Sequence, residues 1–286
     1  MQFDDLNAFL PAGVRDLVPG PVAVLLMEDQ CETNSTIRHH LKIGFKNILV
    51  LAGAPLDIST ELAQNIHLIP FDPTVHNALS GVINPLIQVL DGRWMYYAFN
   101  AEYLFYPFCE TRSIGELTAF MTEERRESVL TYVIDLYAED LKTAPNGVSL
   151  EQAHLDRSGY YAQSRMRENL ALDRQLDMYG GLRWRFEEHV SQNRRKIDRI
   201  GVFKAQNGLM LREDHTFNIE EYNTFACPWH NNITAAICSF RAAKTLKTNP
   251  GSSEMIDTFK WHNSRPFAWH SRQLLDLGLI EPGQWF

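Results

Sequence analysis

The chain has 286 residues, of which 45% are hydrophobic and 22% are charged. This length suits one large domain or two small ones, and the composition excludes disordered, collagen-like and coiled-coil proteins. The formal net charge of -8 argues against a general nucleic-acid binder, because such proteins need a basic surface for phosphates.

The amino-terminal stretch MQFDDLNAFLPAGVRD is acidic and lacks the basic-then-apolar layout of a secretory signal. The apolar run Val22–Met27 is far shorter than the roughly 20 residues of a transmembrane helix. We therefore expect a cytoplasmic protein with no transmembrane segment. The four cysteines form no CxxC pair, so the sequence predicts neither a zinc knuckle nor a disulfide framework.

The first third of the chain alternates between apolar runs and amphipathic stretches. The apolar runs predict strands at Val22–Met27, 48–51 and 66–71, with helices between them and a further strand region at 94–106. This alternation is typical of a parallel sheet with helices on its faces, and such sheets bind ligands at their carboxyl edge. The residues expected at that edge are Glu28, Asp29, Gly53, Asp72, Asn100 and Glu102.

The rest of the chain is less regular. We expect helices over 114–121, 123–128, 232–247 and 271–277, strands over 130–137 and 200–203, and a polar loop over 141–159. The predicted fold class is therefore α/β, with a mostly parallel central sheet flanked by helices and an irregular α-rich C-terminal part.

Several common enzyme motifs are absent from the sequence. It contains no GxGxxG, GxxxxGK, HExxH or GxSxG, so dinucleotide oxidoreductases, P-loop proteins, zincins and hydrolases lose their main support. A nucleotidyltransferase would need a glycine-rich loop after the first strand, and residues 28–34 contain no glycine.

Two segments resemble a known family. The segment MEDQCETNSTIRHHLKIGFKNILVLA resembles the opening of family 2 glycosyltransferases of the GT-A fold, most specifically at HHLKIGF, residues 39–45. NAEYLFYP, residues 100–107, resembles the DADEFLxYP strand of the same family. The resemblance covers residues 1–110 and implies a Rossmann-like GT-A domain over 1–286. In this organisation residues 1–110 bind the nucleotide sugar. Residues 111–286 form the acceptor half with the C-terminal helices.

The family implies an inverting transfer of a sugar from a nucleotide-diphosphate donor to a glycan or other acceptor. Its DxD aspartates hold Mn or Mg, which bridges the donor diphosphate. One alignment places Phe99 and Ala101 at the aspartate positions, and an alignment shifted by one gives Asn100 and Glu102 as an NxE variant. At most one metal carboxylate, Glu102, survives, and His230 is the candidate that would complete a metal site.

The donor-binding candidates are Glu28 and Asp29 for the nucleoside, and Asn100 and Arg185 near the diphosphate. A guanidinium binds phosphate oxygens as a fork, and Arg185 belongs to a group with arginines 183, 194, 195 and 199. The alternative for these arginines is a solvated charged face.

An inverting transfer also needs a general base. The candidates are Asp135, Glu187, Glu188 and Asp214. Glu187 is favoured because the aromatic residues just before it could provide a less polar setting and raise its pKa, and Asp135 is the second choice.

The altered DxD motif also supports a second hypothesis. The chain would then be a non-catalytic protein of the GT-A fold that binds a nucleotide or a glycan. In either case the apolar end GQWF, residues 283–286, is expected to dock onto the body or onto a partner subunit, so an oligomer is compatible with the sequence.

Overall fold

The structure is a computed structural model that describes residues 1–225 and 232–285. The chain is an α/β protein with a mostly parallel central sheet flanked by helices. It divides into two compact units. The first comprises Met1–Tyr103, Cys109–Leu130 and Ile200–Asn223, and the second comprises Leu104–Phe108, Thr131–Arg199 and Thr224–Phe286. Within the described ranges, no helix has the length and hydropathy to cross a bilayer.

The first unit alternates strand and helix. Its helices are α1 (Leu6–Ala12), α2 (Thr33–Lys42), α3 (Thr60–Ala63), α4 (Ala78–Val89) and α5 (Ile114–Glu123). Its strands are β1 (Val22–Met27), β2 (Asn47–Ala52), β3 (His67–Pro70), β4 (Trp94–Phe99) and the later part of β10 (Asp198–Lys204). These bounds confirm the predicted order of strands and helices in the first third of the chain.

The strand order in this unit is β10-β4-β1-β2-β3. Strand β1 pairs in parallel with β2 and β4, β2 pairs in parallel with β3, and β10 is antiparallel to β4. Every residue of β1, β2 and β4 is buried, which explains why their sequences are unbroken apolar runs.

The chain leaves β1 toward β2 and β3 and then returns to the other side of β1 as β4. The strand order therefore reverses between β1 and β4, and the carboxyl ends of these two strands form the switch point of the sheet. Open α/β sheets bind ligands at such a point.

The second unit carries more strand than the sequence predicts. Its strands are β5 (Glu102–Phe105), β6 (Ser128–Ala138), β7 (Ala153–Asp156), β8 (Tyr161–Arg167), β9 (Leu170–Tyr179), β11 (Ala235–Ser239) and β12 (Ser264–Pro266), with β5 and β6 each beginning in the first unit. Its helices are α6 (Gly181–Arg185), α7 (Arg241–Thr248), α8 (Pro250–Ser253) and α9 (Ser271–Asp276).

Several expectations for the rest of the chain are wrong. The helix expected over 123–128 is not formed, since α5 ends at Glu123 and β6 begins at Ser128. The α-rich C-terminal part is richer in strand than in helix. The predicted helix over 232–247 is the strand β11 followed by α7, because the short buried run AAICS pairs in parallel with β6. A run this short does not distinguish strand from helix by periodicity.

The predicted loop over 141–159 also contains a strand, β7, which pairs with both β6 and β12. After it, β8 and β9 form an antiparallel hairpin in which Arg167 lies opposite Leu170. The two turn residues, Glu168 and Asn169, have φ of 50° and 64°, as a tight type I′ turn requires.

Candidate functional site

Asn100 joins the carboxyl ends of β1 and β4 at the switch point of the first unit. Its side chain is fully buried. Oδ1 accepts a hydrogen bond from the Glu28 backbone N at 3.0 Å, and Nδ2 donates to Asp29 Oδ1 at 2.7 Å and to the Cys31 carbonyl at 2.9 Å. Both amide protons and the amide oxygen are thus engaged, so Asn100 fixes the shape of this corner.

Asp29 presents the corner's carboxylate to solvent. The residue is exposed, and its Oδ1 accepts a second hydrogen bond from the Cys31 backbone N at 2.8 Å. The half-buried Glu28 precedes it. The structure therefore brings together three of the predicted donor-binding residues, Glu28, Asp29 and Asn100.

Glu102, the candidate metal carboxylate, lies in the interior. Its side chain is fully buried, and Oε2 accepts a hydrogen bond from the Phe99 backbone N at 2.9 Å. The preceding Ala101 adopts a left-handed φ of 58° and donates its N–H to Thr36 Oγ1 at 2.9 Å. The NAE segment is therefore a turn held by hydrogen bonds to the Phe99 backbone and to the Thr36 side chain.

These residues do not fit a divalent cation. The Asn100 amide oxygen and Glu102 Oε2 are both bonded to backbone N–H groups. Within the described ranges, no group of three or more His, Cys, Asp or Glu side chains could hold a metal ion. His230 lies outside the described residues. The binding of Mn or Mg stays a prediction.

The histidine motif at residues 39–45 serves to pack α2. The His40 ring is fully buried and lies 5.2 Å from the Tyr96 ring and 5.9 Å from the Phe45 ring, between centroids. Burial, with a smaller effect from His39, lowers the pKa of His40 to about 3. The neutral ring donates from Nδ1 to the Thr36 carbonyl at 2.8 Å.

A second polar cluster lies in the second unit around Asp135 on β6. The Asp135 side chain is 1% exposed. Its Oδ2 accepts hydrogen bonds from the backbone N atoms of Leu182, at 2.9 Å, and Arg183, at 3.4 Å. Its Oδ1 lies 3.7 Å from Arg183 Nε and accepts no hydrogen bond from the described residues.

Burial dominates the ionisation of Asp135. It raises the pKa of Asp135 to about 6, although Arg183 and the two backbone N–H groups oppose the shift. A carboxyl group with a pKa near the working pH can accept a proton and release it again, which is what a general base must do.

Asp156 on β7 accepts hydrogen bonds from three side chains on the other side of this cluster. Its Oδ1 accepts hydrogen bonds from the Tyr137 hydroxyl at 2.5 Å and from Trp261 Nε1 at 2.6 Å. Arg185 NH1 lies 3.2 Å from the same oxygen and 3.3 Å from Oδ2. The Arg185 guanidinium also donates to the Phe259 carbonyl at 2.6 Å, so this predicted donor-binding residue is engaged inside the second unit.

Glu187, the favoured base candidate, has a different environment from the expected one. Its side chain is 56% exposed and forms an ion pair with Arg195 at 2.8 Å. It lies in a short 3-10 turn, Glu187–His189. The less polar setting that the neighbouring aromatic residues suggested is therefore absent around Glu187, whereas it surrounds Asp135.

Sequence reasoning missed Tyr160, which belongs to the same cluster. Its hydroxyl is buried and forms no hydrogen bond with any described residue. Burial, with smaller effects from Asp156 and Asp135, raises the pKa of Tyr160 well above its ordinary value, so the hydroxyl keeps its proton. No sequence signal pointed to this residue, because it follows a segment predicted to be a polar loop.

A comparison with protein-family models finds no match to this chain, and a comparison with curated proteins likewise finds no significant match. The resemblance to family 2 glycosyltransferases rests on residues 27–52 and 100–107.

Proposed function

We propose that this protein is a GT-A-type glycosyltransferase that moves a sugar from a nucleotide-diphosphate donor to an acceptor hydroxyl with inversion. The observation that carries the proposal is the position of Asp29 and Asn100 at the switch point between β1 and β4. The resemblance of residues 27–52 and 100–107 to family 2 glycosyltransferases adds support.

Asp29 is assigned to the nucleoside end of the donor. A carboxylate repels a bare phosphate, but it accepts hydrogen bonds from ribose hydroxyls or from a base N–H. Two hydrogen bonds at Oδ1 hold the Asp29 carboxylate in place before a ligand arrives. Such preorganisation reduces the entropy lost on binding.

Asp135 is assigned as the general base. In the transfer, the acceptor oxygen forms a bond to the anomeric carbon while its proton passes to Asp135. The bond between the anomeric carbon and the phosphate oxygen breaks, and its electron pair leaves with the nucleoside diphosphate. The raised pKa of Asp135, about 6, suits this exchange near neutral pH.

The alternative is a non-catalytic protein of the same fold that binds a nucleotide or a glycan. This alternative is favoured because the Asn100 and Glu102 side chains both accept hydrogen bonds from backbone N–H groups. Both side chains thus have a structural role. Binding of a nucleotide with no turnover of any nucleotide sugar would support this alternative.

The experiment that tests the proposal is an assay of nucleoside diphosphate released from UDP- and GDP-sugars, with water as the default acceptor. We expect release by the wild type, and a loss of about 100-fold or more in Asp135→Asn, the usual range for a general base. The matched control is Glu187→Gln, at the exposed candidate, which should retain activity. No release from any donor, or equal activity of wild type and Asp135→Asn, would contradict the proposal.

A further inference from the structure

Two buried polar atoms of the second unit are complementary to each other and yet do not bond. Asp135 Oδ1 is a hydrogen-bond acceptor, and the Tyr160 hydroxyl is a donor. Neither atom forms a hydrogen bond with any described residue. Because buried polar groups in folded proteins are nearly always satisfied, an unsatisfied pair calls for a missing partner.

The two side chains flank the same stretch of backbone. A Cβ atom at Gly180 would lie 2.3 Å from the Tyr160 ring, and a Cβ atom at Gly181 would lie 2.8 Å from Asp135 Oδ2. Successive glycines therefore let the backbone approach both groups closely. Tyr160 also lies within electrostatic range of the Asp135 carboxyl. A single ligand hydroxyl, which both donates and accepts, has the chemistry to satisfy Asp135 Oδ1 and the Tyr160 hydroxyl.

The residue before Tyr160 adjoins two indole rings. A Cβ atom at Gly159 would lie 3.8 Å from the Trp261 ring and 3.9 Å from the Trp184 ring. Trp261 is fixed by Asp156, which accepts its N–H, and by Arg185, whose guanidinium lies 4.6 Å from the ring centroid. Trp184 is 42% exposed, so it offers an aromatic surface to a ligand.

The charges of this cluster are balanced. Arg183 lies beside Asp135, and Arg185 pairs with Asp156. The cluster therefore favours neither an anionic nor a cationic ligand. It favours a neutral polar ligand. Sugar rings combine hydroxyl groups with apolar C–H faces that pack on aromatic rings, which matches an indole beside a hydroxyl-binding pair.

We propose that the second unit contains a sugar-binding subsite in which Asp135 and Tyr160 bind one hydroxyl of the sugar and Trp184 packs against its ring. The inference rests on the proposed function in one respect, that this hydroxyl is the nucleophile whose proton passes to Asp135. Tyr160 donates a hydrogen bond to the same oxygen and acts as a positioning residue. The acceptor is thus a glycan.

The test is binding of methyl glycosides of glucose, galactose, mannose and N-acetylglucosamine, measured by saturation-transfer NMR with the full chain. We expect at least one to bind the wild type. Tyr160→Phe should weaken binding about three- to tenfold, the effect of one neutral hydrogen bond. The matched control is Tyr161→Phe, at the neighbouring tyrosine whose ring stacks on Tyr179, and it should bind as the wild type does.

Thermal unfolding supplies a readout that separates this role from a structural one. Tyr160→Phe removes a buried hydroxyl that has no hydrogen-bond partner among the described residues, so the midpoint of unfolding should stay equal or rise. A lower midpoint would indicate a structural partner and would contradict the proposal. Trp184→Ala, at an exposed ring, provides a second variant that should weaken sugar binding while the protein stays folded.

The outcomes separate this inference from the proposed function. Sugar binding that depends on Tyr160 and Trp184, without turnover of any nucleotide sugar, supports the subsite and contradicts the glycosyltransferase. Turnover that depends on Asp135, with sugar binding indifferent to Tyr160→Phe, supports the enzyme and overturns the subsite. Binding of none of the four glycosides also overturns the subsite.

Discussion

Asn100 Nδ2 donates a hydrogen bond to Asp29 Oδ1 at 2.7 Å and so ties the end of β4 to the end of β1. An amide suits this position, because the same nitrogen also donates to the Cys31 carbonyl. An aspartate in its place would lack both donors and would face another carboxylate. The asparagine at this position therefore has a structural reason.

Asn100→Ala should lower the free energy of unfolding by about 3 kcal/mol, since three hydrogen bonds of about 1 kcal/mol each are lost. Asn100→Asp should cost at least as much at neutral pH, because it adds repulsion with Asp29. Urea denaturation measures both. The control is Asn65→Ala, which loses one exposed hydrogen bond to the Glu61 carbonyl and should change stability by less than about 0.5 kcal/mol. Equal effects at the two positions would contradict the structural role of Asn100.

The first unit was predictable because its strands are buried on both faces. β1 and β2 are continuous apolar runs, and the strand-helix alternation fixed the edge at which Glu28 and Asp29 gather. The burial of Glu102 was not predictable, because a carboxylate after a turn has the same sequence pattern whether its side chain points inward or outward.

Gly181→Ala should destabilise the second unit by more than the cost of placing an alanine at a left-handed φ. Gly181 has a φ of 65°, and an added Cβ would lie 2.8 Å from Asp135 Oδ2. The control is Gly278→Ala, at a φ of 68° with no atom within 4 Å of the added Cβ. The control should cost about 1 to 2 kcal/mol from the backbone conformation, and Gly181→Ala should cost about 1 to 3 kcal/mol more. Equal costs would show that Asp135 moves aside freely.

The stability of the wild type relative to Asp135→Asn should fall as the pH rises. Burial raises the pKa of Asp135 from 3.8 to about 6. As the pH rises, the unfolded state therefore loses this proton at a lower pH than the folded state does. The stabilising contribution of the protonated form is complete below about pH 4 and is lost as the pH rises through about 6. The expected change is about 3 kcal/mol, at about 1.4 kcal/mol for each pKa unit.

Urea denaturation of both proteins at about pH 4 and about pH 7 measures this change. Asp257→Asn, at an exposed position, is the control variant. A difference between wild type and Asp135→Asn that stays constant with pH would contradict the buried, shifted carboxyl.

His40 should make the first unit sensitive to acid. Burial lowers the pKa of His40 from 6.5 to about 3, so below about pH 6.5 the unfolded state binds a proton that the folded state refuses. Stability is therefore lost as the pH falls from about 6.5 toward about 3, at about 1.4 kcal/mol for each pKa unit. His40→Asn, whose amide can replace the donor to the Thr36 carbonyl, should flatten this dependence. An unchanged slope in His40→Asn, or the same flattening in the half-buried control His39→Asn, would contradict this account.

The second cluster was only partly predictable from sequence. Asp135 stood out as a carboxylate inside an apolar run, VIDLY, and the structure buries it. Asp135, the stretch that carries Asp156 and Tyr160, and Trp261 come from three separate segments that the fold brings together. Sequence spacing carries no information about contacts between such distant segments. Glu187 was favoured on its aromatic neighbours, but neighbours in sequence did not create an apolar environment around an exposed 3-10 turn.

The most direct test of the nucleotide site is calorimetric titration of UDP and of GDP into the wild type, Asp29→Ala and Asp72→Ala. Both aspartates accept a hydrogen bond at Oδ1 from the backbone N two residues later, at 2.8 Å for Asp29 and 2.9 Å for Asp72. They differ in position, because Asp29 follows β1 at the switch point and Asp72 follows β3 at the sheet edge. We predict that one nucleotide binds the wild type and Asp72→Ala alike, and that Asp29→Ala binds it about tenfold or more weakly, as loss of a hydrogen bond to a charged group requires. Absence of heat with both nucleotides, or equal affinity of Asp29→Ala and the wild type, would contradict the assignment of this corner as the donor site.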